Sequence, residues 1–137
     1  MTEEAHKRVP GVTWMTMVRT LRTTDARRYF ASNVTLDASV LDRTSRGIKA
    51  VRAYFVAASN LYDSLKFTYE TVNGARTFLE WEGKAFGKAV GGITVLVRSK
   101  SGRIAKIRLY LRPSAAVHQF AAALHSLSAK SNNGRSH

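Results

Sequence analysis

The sequence contains no cysteine, which excludes a disulfide framework, thiol catalysis and any cysteine-ligated metal site. It also has no apolar run near the roughly 20 residues that a membrane-spanning helix needs. The first ten residues are polar and charged, and they lack the apolar core of a secretory signal. We therefore expect a cytoplasmic protein with no membrane partner.

Acidic residues are missing from the second part of the chain. All nine lie at or before Glu82, whereas residues 83–137 carry ten Lys or Arg, the source of most of the net charge of +13. A positively charged surface attracts polyanions such as nucleic acid. Because no nucleic-acid-binding motif accompanies the charge, we favour a basic surface that only serves solubility. A binding module for an anionic partner is the alternative.

The length and composition fit one globular domain. The chain has 137 residues, of which 45% are hydrophobic and 23% charged, enough to bury a core without disulfides or metals. We expect a single domain over residues 1–137, with flexible tails over residues 1–11 and 128–137.

The spacing of apolar residues changes along the chain. Three- and four-residue steps, typical of helices, occur in segments 14–21, 25–30, 47–59 and 114–127. Between the third and fourth helices the period becomes two, in segments 66–72, 77–86, 93–98 and 104–112, and a further short strand is predicted over 34–36. Gly91-Gly92 predicts a bend or bulge. This order indicates an α+β fold in which consecutive antiparallel strands curl around the early helices.

Three segments resemble a known family. They are NVTLDASVLDRTSRGIKAVRAYF, LEWEGKAFGKAVGG and SGRIAKIRLYLRP, and together they are similar to the SnoaL-like branch of the nuclear transport factor 2-like superfamily. The similarity covers roughly residues 14–113. It implies a curved antiparallel sheet with a mixed edge, wrapped around N-terminal helices, with a cone-shaped pocket and a C-terminal helix. It also implies homodimers that pack through the sheet.

Strand alternation, placed on that shape, predicts a nearly apolar pocket lining. The eleven side chains expected there are Trp14, Tyr54, Phe55, Tyr62, Leu79, Trp81, Val95, Val97, Ile107, Leu109 and Leu111. Such pockets suit a small apolar or flat organic ligand held by one or two polar groups. Aromatic residues at these periods also occur as plain core, and a fully filled pocket is the competing interpretation. We expect no cofactor and no metal.

Members of the superfamily include isomerases, cyclases and dehydratases as well as binding domains, so the resemblance leaves catalysis open. The base position of the ketosteroid isomerase relatives falls on Ala38, one residue from Asp37, and adjacent strand residues face opposite sides. Asp37 is a candidate general base if a bulge turns it inward. His118, on the last helix, is the second candidate acid or base. An isomerase, cyclase or dehydratase that uses Asp37 or His118 is thus the enzymatic alternative, with its substrate undetermined.

Overall fold

The computed structural model describes the backbone of residues 9–135 and the side chains of residues 9–127. Its helices are α1 (Val12–Thr20), α2 (Ala26–Tyr29), α3 (Ile48–Ser59) and α4 (Ser114–Arg135). Its strands are β1 (Phe30–Ala38), β2 (Ser45–Arg46), β3 (Tyr62–Asn73), β4 (Arg76–Ala85), β5 (Lys88–Arg98) and β6 (Ile104–Arg112). The α+β prediction is confirmed. No described helix is long and apolar enough to cross a membrane, and the cytoplasmic location stays a prediction.

The six strands form one open, mixed sheet in the order β2-β1-β6-β5-β4-β3. Strands β3 to β6 are antiparallel, and each pairs with the next along the chain. The last strand, β6, also pairs with the first, β1, and these two strands are parallel. The short β2 then pairs with β1 in antiparallel orientation at the edge. The bulge predicted at Gly91-Gly92 is not found, because both glycines pair with β4 and β6 without a register shift.

A two-residue turn at Phe86-Gly87 sets the register of β5. Both residues have positive φ angles, 55° and 73°, as in the tight turns that match the twist of a hairpin. Ala85 therefore pairs with Lys88, and counting back along the ladder places Leu79 opposite Thr94. Residues opposite each other share a face of the sheet.

This register corrects the prediction for two pocket residues. Val95 pairs with Phe78 and Val97 pairs with Arg76, so both valines lie on the outer face, away from Leu79. The prediction was wrong because segment 93–97 carries apolar side chains on both faces of the strand, and alternation alone cannot choose between them.

Helices α1 and α3 cover the inner face of the sheet and enclose the main core. Its largest buried members are Trp14, Leu21, Phe30, Val34, Leu36, Val51, Leu79, Leu96, Ile104 and Ile107. Helix α4 closes a second cluster, in which Phe120 packs with Trp81, Ala85 and Val90. Full burial of one large apolar side chain contributes about 1.5–3 kcal/mol, so the two clusters fix the helices on the sheet.

The predicted tails lie partly outside the described residues, namely residues 1–8 and 136–137. Their flexibility stays a prediction, and the structure gives one contact in the first tail and the backbone course of most of the second. Gly11 is buried and its N–H donates to Glu70 Oε1 at 2.8 Å. At the other end, the backbone of α4 stays helical to Arg135.

Gly92 makes room for the largest side chain of the inner face. It lies opposite Trp81 in the ladder, and a Cβ at this position would stand 2.6 Å from Trp81 Cζ2 and 2.0 Å from the carbonyl oxygen of Tyr110. Only a residue without a side chain permits this approach. Trp81 can therefore lie against the sheet and line a cavity on its inner face.

We predict that Gly92→Ala destabilises the protein by about 1–3 kcal/mol, because the new methyl group forces Trp81 and β6 to move. Chemical denaturation gives the free energy of unfolding. Gly91→Ala is the matched control, since its nearest contacts are looser, at 3.2 Å to Trp81 O and 3.3 Å to the mobile end of Arg112. An equal loss in the two variants would contradict this account of Gly92.

Candidate functional site

A cavity of about 120 Å³ lies between helices α1 and α3 and the inner face of the sheet. Seven of the eleven predicted pocket residues line it: Trp14, Tyr54, Phe55, Tyr62, Trp81, Leu109 and Leu111. Ten further residues complete the lining: Met15, Val18, Ala38, Ser39, Val40, Ala58, Ser59, Leu65, Phe67 and Thr94. Ser39, Ser59 and Leu65 are solvent-exposed and mark the mouth.

Aromatic side chains hold one another edge to face around the cavity. Trp14 meets Phe55 with ring centroids 5.8 Å apart, and Phe55 meets Tyr54 at 5.3 Å. On the sheet side, Tyr62 meets Trp81 at 5.8 Å. Edge-to-face pairs of this kind contribute about 0.5–1.5 kcal/mol beyond their burial, so these contacts stabilise the walls of the cavity.

The four other predicted pocket residues do not line the cavity. Leu79 and Ile107 are on the inner face but belong to the buried core beside it. Val95 and Val97 are on the outer face, as their register shows. Strand alternation thus correctly predicted which residues of β4 and β6 lie on the inner face of the sheet. For β5 it selected residues of the outer face.

Asp37 does not reach the cavity. Strand β1 pairs with β6 without a shift from Thr35 to Ala38, so Asp37 stands beside Arg108 on the outer face while Ala38 lines the cavity. The carboxylate is exposed and its Oδ1 accepts a hydrogen bond from the Thr44 hydroxyl. The bulge that would turn Asp37 inward is absent from this stretch.

His118 also lies away from the cavity. It is exposed on helix α4, whose buried face is made by Ala116, Phe120 and Leu124, and it is not among the lining residues. Within the described part of the chain, no group of three or more His, Cys, Asp or Glu could hold a metal ion. The described lining therefore offers neither a carboxylate nor an imidazole.

Thr94 is the polar residue of the inner face that the sequence analysis missed. It is 2% exposed and lines the cavity, between Leu79 and Leu109 in the ladder. The other buried threonine, Thr77, accepts a hydrogen bond from Arg98 at 2.6 Å, whereas no described side-chain hydrogen bond involves Thr94. No fully enclosed side-chain oxygen among the described residues lacks a hydrogen-bond partner.

Tyr54 and Tyr62 supply two further hydroxyl groups of the wall, whereas those of the exposed Ser39 and Ser59 donate to backbone carbonyl oxygens. Burial raises the pKa of Tyr62 to about 12. Burial raises the pKa of Tyr54 further still, with a smaller contribution from the nearby Tyr62. A phenol that resists ionisation stays a neutral hydrogen-bond donor at physiological pH. The titratable groups of the described lining are thus both neutral near pH 7.

The raised pKa of Tyr62 gives the stability a dependence on alkaline pH. The contribution is fully present below the ordinary pKa near 10, and it is lost as the pH rises through about 12. We predict that Tyr62→Phe reduces the fall in unfolding free energy over this window by about 1–3 kcal/mol. Denaturation at a series of pH values measures it. Tyr69→Phe, at an exposed site, is the control, and an identical fall in wild type and Tyr62→Phe would refute the prediction.

Comparisons with known proteins identify the fold through structure and not through sequence. No family model matches the chain, and no curated protein matches it. A steroid delta-isomerase from Pseudomonas aeruginosa is similar in structure, with a TM-score of 0.76 and 12% identity over 88% of this chain and 90% of that one. A protein with a cystatin-like fold from Silicibacter pomeroyi gives a TM-score of 0.70 and 16% identity, over 81% and 83% of the two chains.

A SnoaL-like family member from Agrobacterium tumefaciens is similar with a TM-score of 0.51 and 18% identity, over 72% of this chain and 93% of that one. At such identities a structural likeness establishes the fold and leaves the activity undetermined. The resemblance found in the sequence is confirmed at this level: the chain has the cystatin-like α+β fold of SnoaL-like and NTF2-like proteins.

Proposed function

We propose that this SnoaL-like fold binds a small, neutral, mostly apolar ring compound in the cavity between its helices and sheet. The observation that carries the proposal is the largely apolar cavity wall, in which Thr94 places a hydroxyl group between Leu79 and Leu109. A ligand group that hydrogen-bonds to this hydroxyl would be oriented by it within the apolar surroundings.

The size of the cavity limits the ligand. Its volume of about 120 Å³ is below the roughly 300–1,000 Å³ of sites for drug-sized molecules. It is close to the roughly 150 Å³ of an engineered apolar cavity that takes up benzene. One aromatic or alicyclic ring therefore fits without rearrangement of the aromatic walls.

The polarity of the lining limits the ligand further. The hydroxyl groups of Thr94, Tyr54 and Tyr62 can each donate one hydrogen bond, and no charged side chain is among the described lining residues. A charged ligand would lose its hydration without gaining an ion pair. A ring that carries one carbonyl or hydroxyl group matches these donors.

The enzymatic alternative lacks the groups assigned to it. An isomerase, cyclase or dehydratase needs a proton acceptor within hydrogen-bond reach of the substrate. Asp37 faces the outside of the sheet and His118 lies on the exposed side of α4. Neither supports catalysis in this cavity, so binding is the function that the lining favours.

We predict that wild type binds both benzene and phenol, and that Thr94→Val weakens phenol binding about tenfold while benzene binding stays equal or improves. Valine keeps the shape of threonine and removes only the hydroxyl. Isothermal titration calorimetry on the full chain measures both probes. Thr71→Val makes the same change at an exposed position of β3 and should leave both affinities unchanged.

Two outcomes separate the parts of this proposal. If neither probe binds to wild type, the ligand-binding function is wrong. If both probes bind and Thr94→Val changes neither affinity, the pocket stands and the role of Thr94 is wrong. The unfolding free energy of Thr94→Val shows whether the variant folds as wild type does, so that a change in phenol affinity can be assigned to the lost hydroxyl.

We also infer that two copies of the chain pair through the outer face of the sheet. Neighbouring strands align Tyr69, Glu80, Ile93 and Tyr110 in one row on that face. Ile93 is 42% exposed, and Tyr69 and Tyr110 are each 53% exposed. Grouped apolar and aromatic residues on an open surface favour a protein contact, and a second copy agrees with the dimers that the resemblance implies.

We predict that wild type is dimeric in sedimentation experiments and that Ile93→Glu is monomeric. The substitution removes an apolar side chain from the centre of the contact and places a second carboxylate directly opposite Glu80, where like charges repel. Val56→Glu places the same group at an exposed site on α3 and should stay dimeric. A monomeric wild type, or a dimer that tolerates Ile93→Glu, would count against this interface.

A further inference from the structure

A second cavity lies on the outside of helix α3, where the connection between α1 and α2 meets β1. Its volume is about 500 Å³. Three cationic side chains border it, Arg27, Lys49 and Arg52, together with the hydroxyl groups of Thr23, Thr24 and Ser32. None of the described residues that border this groove is acidic.

One cationic side chain and one backbone segment of the groove are held by contacts to neighbouring elements. Arg52 is partly buried and its Nε donates to the carbonyl oxygen of Leu21, which ties the guanidinium to the end of α1. The carbonyl oxygen of Arg27 accepts a hydrogen bond from Arg103 Nε at 2.8 Å. The groove therefore joins three segments of chain that are fixed relative to one another.

The charge arrangement is unfavourable in the empty protein. Lys49 and Arg52 are three residues apart on one helix, a spacing at which like charges repel by about 0.2–0.5 kcal/mol. Arg27 adds a third positive charge from the facing segment. An anion between them would turn this repulsion into attraction, and charge-assisted hydrogen bonds from Arg and Lys are about twice as strong as neutral ones.

We propose that this groove binds a small molecule that carries a phosphate group. Guanidinium groups and hydroxyls are the side-chain donors that phosphate oxygens accept from. The volume is far larger than one phosphate group, so the rest of a small molecule has room. All residues that border the groove lie within residues 23–52, and none of them lines the neutral cavity on the sheet side of α3. A nucleic acid would instead need a row of cations along an open surface.

The test uses the full chain and inorganic pyrophosphate as the probe, titrated by calorimetry at constant ionic strength. We expect saturable one-to-one binding that the double variant Arg27→Gln/Lys49→Gln weakens at least about tenfold. The control is Lys84→Gln/Lys88→Gln, which removes the same charge from exposed positions at the opposite end of the sheet. It should bind pyrophosphate like wild type.

Three outcomes would overturn the proposal. The first is absence of saturable binding to wild type, and the second is an equal loss in the two double variants, which would indicate general charge attraction. The third is displacement of pyrophosphate by a single-stranded oligonucleotide whose own binding is weakened equally in both variants, which would indicate an extended nucleic-acid surface. Matching circular dichroism spectra and melting temperatures of the variants show that folding does not account for the difference.

Discussion

The register of β5 between β4 and β6 determines the composition of the cavity. Two rows cross the inner face of these strands: Leu79, Thr94 and Leu109 form one, and Trp81, Gly92 and Leu111 form the other. A shift of one residue would bring Val95 inward in place of Thr94 and would remove the polar group from the wall. It would also set a side chain against Trp81 where Gly92 now leaves room. The short turn at Phe86-Gly87 is what holds this register.

That turn shows how far the sequence could lead. Helical spacing and period-two alternation correctly predicted the early helices, the hairpin strands and the last helix, because one face of each element is buried. They could not place Phe86-Gly87 as a turn, since an aromatic residue at positive φ is unusual. Because this turn was not predicted, the sequence pattern could not determine how β5 is aligned with β4. Val95 and Val97 were therefore assigned to the wrong face, and Thr94 was overlooked.

Asp37 illustrates a case in which the sequence did contain the answer. Alternation along β1 puts Ala38 and Asp37 on opposite faces, and the structure keeps that alternation intact. A general base would have required a bulge in this stretch. The polar groups of the described cavity lining are consequently neutral hydroxyls. Burial keeps those of Tyr54 and Tyr62 protonated by raising their pKa values. A site of neutral donors can hold a carbonyl or hydroxyl oxygen in place.

Helix α3 separates two environments of opposite character. Gly47, at a φ of 89°, starts the helix, and its N–H donates to the carbonyl oxygen of Val34 at 2.7 Å, which fixes the helix to β1. The apolar side of α3 then presents Tyr54 and Phe55 to the cavity, whereas its first turns present Lys49 and Arg52 to the groove. Helix α3 thus carries side chains for both proposed sites. A neutral ligand in the cavity would contact one side of the helix, and an anion in the groove would contact its first turns.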